Sequence, residues 1–271
     1  MTTFERRFRL LDILREQPGI RVPELARLLE VSEGTIRNDL RALAANGQLT
    51  RVWGGGIPVD ERSVSPAYTA RAQMNQPAKK YIAREAAGLV AEGDSVLFDA
   101  STTVFHMAQY LQERNNLTVI TNGIDIGREL AHNPTNTVVL LGGILRPDGS
   151  AITRATDEHI LKDLHIKTAF ISSSGFSIDA GLTEVDLHEA QFKSTMIASA
   201  GRLVALIDSS KFGKVDLTRC ARIEQVSQIF TDEDLPLEWQ EKLISAGVEF
   251  TMCSETVTNG KIKQAELDQS S

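Results

Sequence analysis

The sequence predicts a two-part chain: a small helical head closed by a β-hairpin, then a larger α/β body built on a mostly parallel sheet. Three observations predict it. Val22–Arg41 reads as two short helices joined by a tight turn. A strand-like run with a glycine cluster, Leu49–Ile57, follows it. From Ala78 onward, apolar strand-like runs alternate with helical ones.

The head begins with Phe4–Glu16, where Phe4, Phe8, Leu11 and Leu14 fall at helical spacing. Gln17-Pro18-Gly19 ends that helix. Pro23 suits the first position of the next helix, because its missing N–H would have no helical partner there. Leu25, Ala26, Leu28 and Leu29 give this helix an apolar stripe. Ser32 is placed to cap the third helix. In that helix Ile36, Leu40, Leu43 and Ala44 form one buried face. Steps of 100° per residue put Asn38 and Arg41 nearly opposite it, with Thr35 beside them and Arg37 on the flank. Asn46-Gly47 marks a turn or a helix end. Leu49–Trp53, Gly54-Gly55-Gly56 and Ile57 then read as a hairpin with a glycine tip, the wing of a winged helix-turn-helix.

The outward face of the third helix carries hydroxyl, amide and guanidinium groups. A helix fits the major groove, Arg can pair bidentately with guanine, and Asn with adenine. The expected DNA-binding residues are therefore Ser32, Thr35, Arg37, Asn38, Arg41 and, from the wing, Arg51. The competing reading is a helical bundle with an ordinary solvated face. Trp53 suits either the DNA or packing beneath the wing.

Charge distribution agrees with a DNA-binding head. Met1–Gly56 holds 9 Arg, no Lys and 7 acidic residues, whereas the whole chain of 271 residues has a net charge of −7. A mildly basic head on an acidic body keeps the body off DNA. No apolar run approaches the roughly 20 residues of a membrane span. The first residues lack a signal-peptide layout, so a cytoplasmic location is expected. Cys220 and Cys253 stand far apart without metal spacing and are expected to be buried thiols.

The expected divisions are a head over 1–57, a linker over 58–77, a body over 78–254 and a polar, disordered tail over 255–271. Within the linker, local structure is expected around Tyr68–Met74. Body strands are expected at Ser95–Phe98, Leu117–Thr121, Thr137–Leu141, Lys167–Ser172, Arg202–Ile207, Gln225–Thr231 and Val248–Cys253. Helices are expected at Lys79–Ala91, Thr103–Glu113, Asp125–Ala131, Thr156–Asp163, Leu187–Ala200 and Leu237–Ala246. This alternation predicts a parallel sheet covered by helices.

Ligands of such sheets bind at the carboxyl ends of the strands. Polar and glycine residues concentrate there: Asp99-Ala100-Ser101-Thr102-Thr103, Asn122-Gly123, Gly142-Gly143, Ser172–Gly175, Gly181–Glu184 and Asp208–Lys211. Hydroxyls and N–H groups at a helix start can hold an anion, and a lysine can meet phosphate as a point charge. Each segment alone reads equally as a cap or turn. Together they point to a small anionic ligand.

The runs TIRNDL (Thr35–Leu40) and Gly54-Gly55-Gly56, with FDASTT, TNG, LLGG, GLTE and DSSKF in the body, resemble the DeoR family of bacterial transcriptional regulators. The resemblance spans about Glu5 to Met252. It implies a winged helix-turn-helix head and a sensor body similar in fold to ribose-5-phosphate isomerase, responding to a phosphorylated sugar. It implies effector contacts at Asp99, Ser101, Thr102, Thr103, Asn122, Gly142, Gly143, Glu184, Lys193, Asp208 and Lys211. This chain departs from the family's pattern at Arg154-Ala155, where a glycine-proline pair is common. It departs again at Lys167, often aspartate, and in the serine-rich Ser172-Ser173-Ser174.

The expected function is a DNA-binding regulator, a repressor, of a carbohydrate-catabolism operon. Its partners would be double-stranded operator DNA, a phosphorylated sugar and further copies of itself as a homo-oligomer. No cofactor, metal or catalytic residue is expected. The alternative is a sugar-phosphate isomerase or deaminase carrying a DNA-binding head, with Lys211, Asp208 and Glu184 available for acid–base work. A protein-binding adaptor is a further option, and it leaves the Asn38/Arg41 face without a role.

Overall fold

A computed structural model describes residues 3–16, 20–45, 49–52, 55–58, 68–155, 159–255 and 261–262. The chain divides into two compact units, Met1–Met74 and Asn75–Ser271.

The first unit contains α1 (Thr3–Glu16), α2 (Val22–Leu28), α3 (Glu33–Ala45), the strands β1 (Leu49–Val52) and β2 (Gly55–Pro58), and α4 (Tyr68–Gln73). Its core is Leu10, Leu11, Leu14, Val22, Leu25, Leu29, Ile36, Leu40, Leu43 and Leu49, with others. Pro23 stands in the first turn of α2. Leu28 departs from the expected stripe and is 55% exposed. Val22, Leu25, Ala26 and Leu29 centre the buried face between Leu25 and Ala26, and Leu28 lies about 110° round from it. The Ser32 hydroxyl accepts the Thr35 N–H at 3.1 Å, as a helix cap should. β1 and β2 pair antiparallel, with Arg51 opposite Gly56 and Val52 opposite Gly55. Gly55 and Gly56 thus belong to the return strand rather than the tip. Gln17–Gly19, Asn46-Gly47, Trp53-Gly54 and Val59–Ala67 lie outside the described residues. So do the side chains of Phe4, Phe8, Arg51, Arg154 and Ala155.

The second unit runs α5 (Gln76–Ala87), β3 (Ser95–Phe98), α6 (Thr102–Tyr110), β4 (Thr118–Thr121), α7 (Ile124–Ala131), β5 (Thr137–Leu140), β6 (Gly143–Leu145) and β7 (Ile152–Ala155). It continues through α8 (His159–Lys162), β8 (Thr168–Ile171), β9 (Gly175–Ser177), β10 (Gly181–Glu184), α9 (Leu187–Ala198), β11 (Leu203–Leu206) and β12 (Thr218–Ala221). It ends with β13 (Val226–Asp232), α10 (Leu237–Ser245), β14 (Glu249–Cys253) and β15 (Lys261–Ile262).

The main sheet has the order β15-β14-β13-β11-β8-β3-β4-β5. Its pairs are parallel except β14 with β15. Both faces are covered, so its central strands are apolar throughout rather than alternating with polar residues. Val96, Phe98, Phe170, Val204 and Leu206 meet α5, α6 and α7. Leu97, Ala169, Ile171, Ala205 and Ile207 lie on the opposite face, in the cluster with α9 and α10.

The expected body strands and helices appear close to their expected positions, and three features were not expected. β6 and β7 form an antiparallel hairpin. β12, β10 and β9 form a second, antiparallel sheet. Lys261–Ile262 pairs with β14, so the expected disordered tail contains a short strand; Thr256–Gly260 and Lys263–Ser271 are outside the described residues. The expected helix from Thr156 is seen as His159–Lys162, with 156–158 outside the description. Among the described residues no helix is long and apolar enough to cross a membrane.

Candidate functional site

Helix α3 presents its polar face as its spacing requires. Ile36 and Leu40 are fully buried, while Arg37, Asn38 and Arg41 are exposed and Thr35 is half-buried. Thr35 Oγ1 lies 2.9 Å from Ser32 Oγ. Arg41 Nη1 donates to Asn38 Oδ1 at 3.3 Å, and Arg37 Nη2 to Glu33 Oε2 at 2.7 Å. These pairs are solvent-exposed and individually weak, so the side chains are arranged without being locked.

A carboxylate within the TIRNDL run holds this helix in place, and helical spacing alone did not single it out. Asp39 is 2% exposed and accepts Arg6 Nε at 2.6 Å and Arg7 Nε at 2.9 Å. Burial raises its pKa, but hydrogen bonds from the two guanidinium groups outweigh burial and lower it. Asp39 therefore stabilises the head above pH 3.8, and that contribution is lost as pH falls through its lower folded value. Asp39→Ala is expected to cost the head about 2–3 kcal/mol, since it strips the shared acceptor from two charged donors. Hydrogen exchange of α1 and α3 amides in the full chain measures this. Protection unchanged from wild type would show that the clamp carries no stability.

In the second unit the chain reverses its march across the sheet between β3 and β8. From β3 it steps outward to β4 and β5. From β8 it steps the other way, through β11 and β13 to β14. Parallel sheets bind ligands at such a crevice. Asp99 follows β3 there, and Ser172 follows β8.

Lys193 of α9 joins them. Its ammonium lies 2.8 Å from the Ser172 carbonyl, 2.8 Å from Asp99 Oδ2 and 2.5 Å from Glu184 Oε1. Lys193 is 3% exposed, Glu184 2% and Asp99 0%. Asp99 also accepts the N–H groups of Ser101 and Ser172 at 3.2 and 3.3 Å. Burial opposes the charge on Lys193, yet Asp99, Glu184 and Glu189 together hold its pKa well above the ordinary lysine value. Its three N–H groups meet three acceptors, so it holds two carboxylates in place and has no hydrogen left for a ligand.

Around this cluster, Ser101 caps α6 by accepting the Val104 N–H at 3.3 Å, with Thr102 and Thr103 buried in the first turn. Asn122 is buried and donates to the Ile152 carbonyl at 2.8 Å. Gly142 and Gly143 are exposed where β5 leads into β6. Asp208 follows β11, caps the turn Ser209–Lys211, and accepts Asn75 Nδ2 at 2.8 Å together with the Ser210 hydroxyl. Lys211 is half-buried in the single turn Ser209–Lys211. The structure brings Asp99, Glu184 and Lys193 into direct contact. It puts Asn122 after β4 on one side of β3, and Asp208 and Lys211 after β11, two strands away on the other.

The departures from the family pattern have separate locations. Lys167 pairs with Asp94 at 2.6 Å, and its backbone N–H donates to the Ser95 hydroxyl oxygen, at the amino ends of β8 and β3 and hence far from the pocket edge. Ser173 and Ser174 spend their hydroxyls on the Gly175 and Thr183 carbonyls, at the start of the small sheet. In GLTE, Gly181 has φ +72, and a Cβ there would lie 2.2 Å from the Ala221 carbonyl oxygen. Only glycine fits, and Glu184 is thereby delivered to Lys193. Cys220 and Cys253 are free and buried, and burial pushes both thiols up to about 12.

Comparison with known proteins gives these sites a context. A profile described as "DeoR-like helix-turn-helix domain" matches residues 6–62, and one described as "DeoR C terminal sensor domain" matches residues 74–233. The chain belongs to the DeoR family of transcriptional regulators. As a member of that family it is a DNA-binding transcriptional regulator.

Its relatives match over nearly their full lengths. HTH-type transcriptional regulator GolR of Listeria innocua is 32% identical, covering 92% of this chain and 98% of the relative. A putative aga operon transcriptional repressor of Escherichia coli O157:H7 is 29% identical, covering 93% and 95%. Among solved structures, ribose 5-phosphate isomerase from Plasmodium falciparum is similar at 14% identity and a TM-score of 0.36. That match covers 49% of this chain and about half, 52%, of the isomerase. The relatives that span the DeoR-family chain are regulators by name, and it is a regulator rather than an enzyme.

Proposed function

We propose that this DeoR-family chain represses a carbohydrate-catabolism operon and is released from its operator by a phosphorylated sugar. The observation that carries the DNA half is the α3 surface. Thr35, Arg37, Asn38 and Arg41 face outward, opposite the buried Ile36 and Leu40. Asn38 has the chemistry to read adenine, and Arg41 to read guanine or hold phosphate. Arg37, Ser32 and Arg51 would fix the register on the backbone. The relative named for the aga operon is called a repressor, which supports the sign of regulation.

Arg41→Ala is expected to cost about 1–3 kcal/mol of operator affinity and to relax preference at one base position. Arg37→Ala is expected to weaken all sequences alike and to lower the salt slope by roughly 1. Titrations of operator and scrambled duplex at several salt concentrations check both. Two variants that bind operator like wild type at every salt concentration would overturn the assignment of α3.

The effector half rests on convergence at the β3/β8 crevice. Sugar hydroxyls would lie on Asp99, Glu184 and Asn122. The phosphate would lie on N–H and hydroxyl groups of Ser101, Thr102 and Thr103, with Lys211 as cation and Gly142 and Gly143 bounding the site. Asp208 sets the turn that carries Lys211, and Lys193 positions the carboxylates. The effector acts by linkage: it lowers DNA affinity by its differential affinity for the two states. A thermal-shift screen of phosphorylated sugars tests this, with about 2.7 kcal/mol of stabilisation at 100 times the dissociation constant.

The working form would be a homo-oligomer of chains divided as head 1–57, linker 58–77, body 78–254 and tail 255–271. Support comes from β5, an edge strand of the main sheet with no charged residue, whose last residue Leu140 is exposed, as are Ile144 and Leu145 in β6.

A further inference from the structure

The β6–β7 hairpin folds back over the end of β4. Ala151 bridges Gly123, the Ile124 N–H donates to the Ser150 carbonyl at 3.0 Å, and the Ile152 N–H donates to the Asn122 carbonyl at 2.9 Å. These bonds fix the loop that carries Arg146, between β6 and β7, close to the pocket edge. Its side chain is 16% exposed. Nε donates to Asp148 at 3.0 Å and Nη2 to Ser150 Oγ at 2.5 Å, both within the hairpin. Nη1 lies 3.5 Å from Glu189 Oε2, on a different element. That last distance exceeds the usual N–H···O range, so it is an ion pair and not a made hydrogen bond. The other oxygen of Glu189 is 3.7 Å from Lys193 Nζ. Glu189 thus stands between Arg146 and Lys193, forming an ion pair with each.

Asn122 gives a second, independent observation. Its amide nitrogen faces the Ile152 carbonyl, which needs a donor, and this fixes the orientation of the amide. The Oδ1 at the other end is buried and has no hydrogen-bond partner among the described residues. The residue is 5% exposed. A buried acceptor without a donor is costly and calls for one from a ligand.

We propose that Arg146 is an anion anchor of the effector pocket, and that Glu189 is its resident counter-anion, displaced when the phosphate of a hydroxylated phosphomonoester binds. A ligand hydroxyl donates to Asn122 Oδ1, and the phosphate takes Nη1 of the guanidinium fork from Glu189. A phosphate offers several oxygens to a planar donor set already oriented by Asp148 and Ser150. A neutral sugar can satisfy Asn122 but cannot displace Glu189, so Arg146 adds to the charge selectivity that Lys211 provides. Lys193 cannot play this part, because its three hydrogens are taken. Lys211 follows β11 and Arg146 lies beyond β4, so the two cations flank the Asp99 loop from opposite sides. This inference rests on the effector reading above.

The test uses the full chain and inorganic phosphate, followed by phosphorus NMR at constant ionic strength. Glu189→Gln removes the competitor and leaves both hairpin bonds of Arg146 in place. It is expected to bind phosphate about tenfold more tightly than wild type. Arg146→Gln is expected to lose phosphate binding by about tenfold or more while keeping operator affinity. Equal phosphate affinity in wild type and Glu189→Gln would overturn the proposal, and so would no binding by either. Arg146→Gln binding phosphate like wild type would overturn it as well. None of these results bears on whether a phosphorylated sugar releases operator DNA. Operator release by the sugar panel is read separately on wild type, so failure of the Arg146 assignment and failure of the effector reading are distinguishable.

Discussion

Lys193→Met is expected to destabilise the Asn75–Ser271 unit by about 3–5 kcal/mol, because breaking a buried ion cluster strands its remaining charges. Asp99 and Glu184 would face each other fully buried, with their shared cation gone. Loss of methylenes is not the cause, since methionine fills much of the same volume. The pH dependence identifies the mechanism. In wild type the lysine pKa is raised above 10.5, so its contribution is complete below that pH and is lost only as pH rises through the folded value. In the variant one carboxyl must take up a proton to stay buried, so the variant should regain stability as pH falls. Wild type has no such gain from this cluster. Adding Asp99→Asn and Glu184→Gln to Lys193→Met should recover at least about 2 kcal/mol, since neutral replacement of a buried cluster is far less costly than breaking it. Urea melts from acid to neutral pH read all three proteins. A cost below about 1 kcal/mol with no pH dependence would mean that this cluster is no strut.

That cluster also shows how far the sequence could be read. The main sheet was legible because its strands are short apolar runs separated by amphipathic helices, and both patterns are local. Carboxyl-end residues were legible for the same reason: a polar stretch directly after an apolar run marks a strand end. What spacing could not reveal was which strand ends become neighbours. Lys193 sits mid-helix and reached the expected site by family resemblance alone; its partners come from β3, β8 and β10. The small β9–β10–β12 sheet escaped because its strands have three or four residues and no alternation. Its clearest sequence signal was the glycine of GLTE, whose positive φ and close approach to Ala221 require glycine. In the head, Leu28 was misplaced because composition does not separate a leucine on the edge of the stripe from one within it. Asp39 was passed over because the spacing argument weighed only the apolar face and the outward polar residues. Its actual role is to bind α1, through two arginines that the charge count had credited to DNA.

Lys211→Ala is expected to abolish the effector response while leaving the fold and operator affinity intact. The turn that carries Lys211 has its own supports. The Asp208 carboxylate accepts the Ser210 N–H at 3.2 Å, the Ser210 hydroxyl and the Asn75 amide. Ser209 donates through N–H and hydroxyl to Asp232 at 2.6 and 2.7 Å. With those bonds retained, loss of a half-buried lysine should lower apo stability by no more than roughly 1 kcal/mol, the worth of a solvent-accessible ion pair. Loss of a charge-assisted bond to phosphate should weaken effector binding by about 1.5–3 kcal/mol, or roughly ten- to a hundredfold. The competing account makes Lys211 a prop for the end of β11, and it predicts a lower melting temperature without ligand. Three measurements on one preparation separate the two: apo melting temperature, operator affinity, and operator release on addition of phosphorylated sugar. A normally stable variant that binds operator and ignores the effector places the phosphate at Lys211. A variant of reduced stability that still releases DNA at wild-type effector concentrations would sink that placement and make Lys211 part of the scaffold.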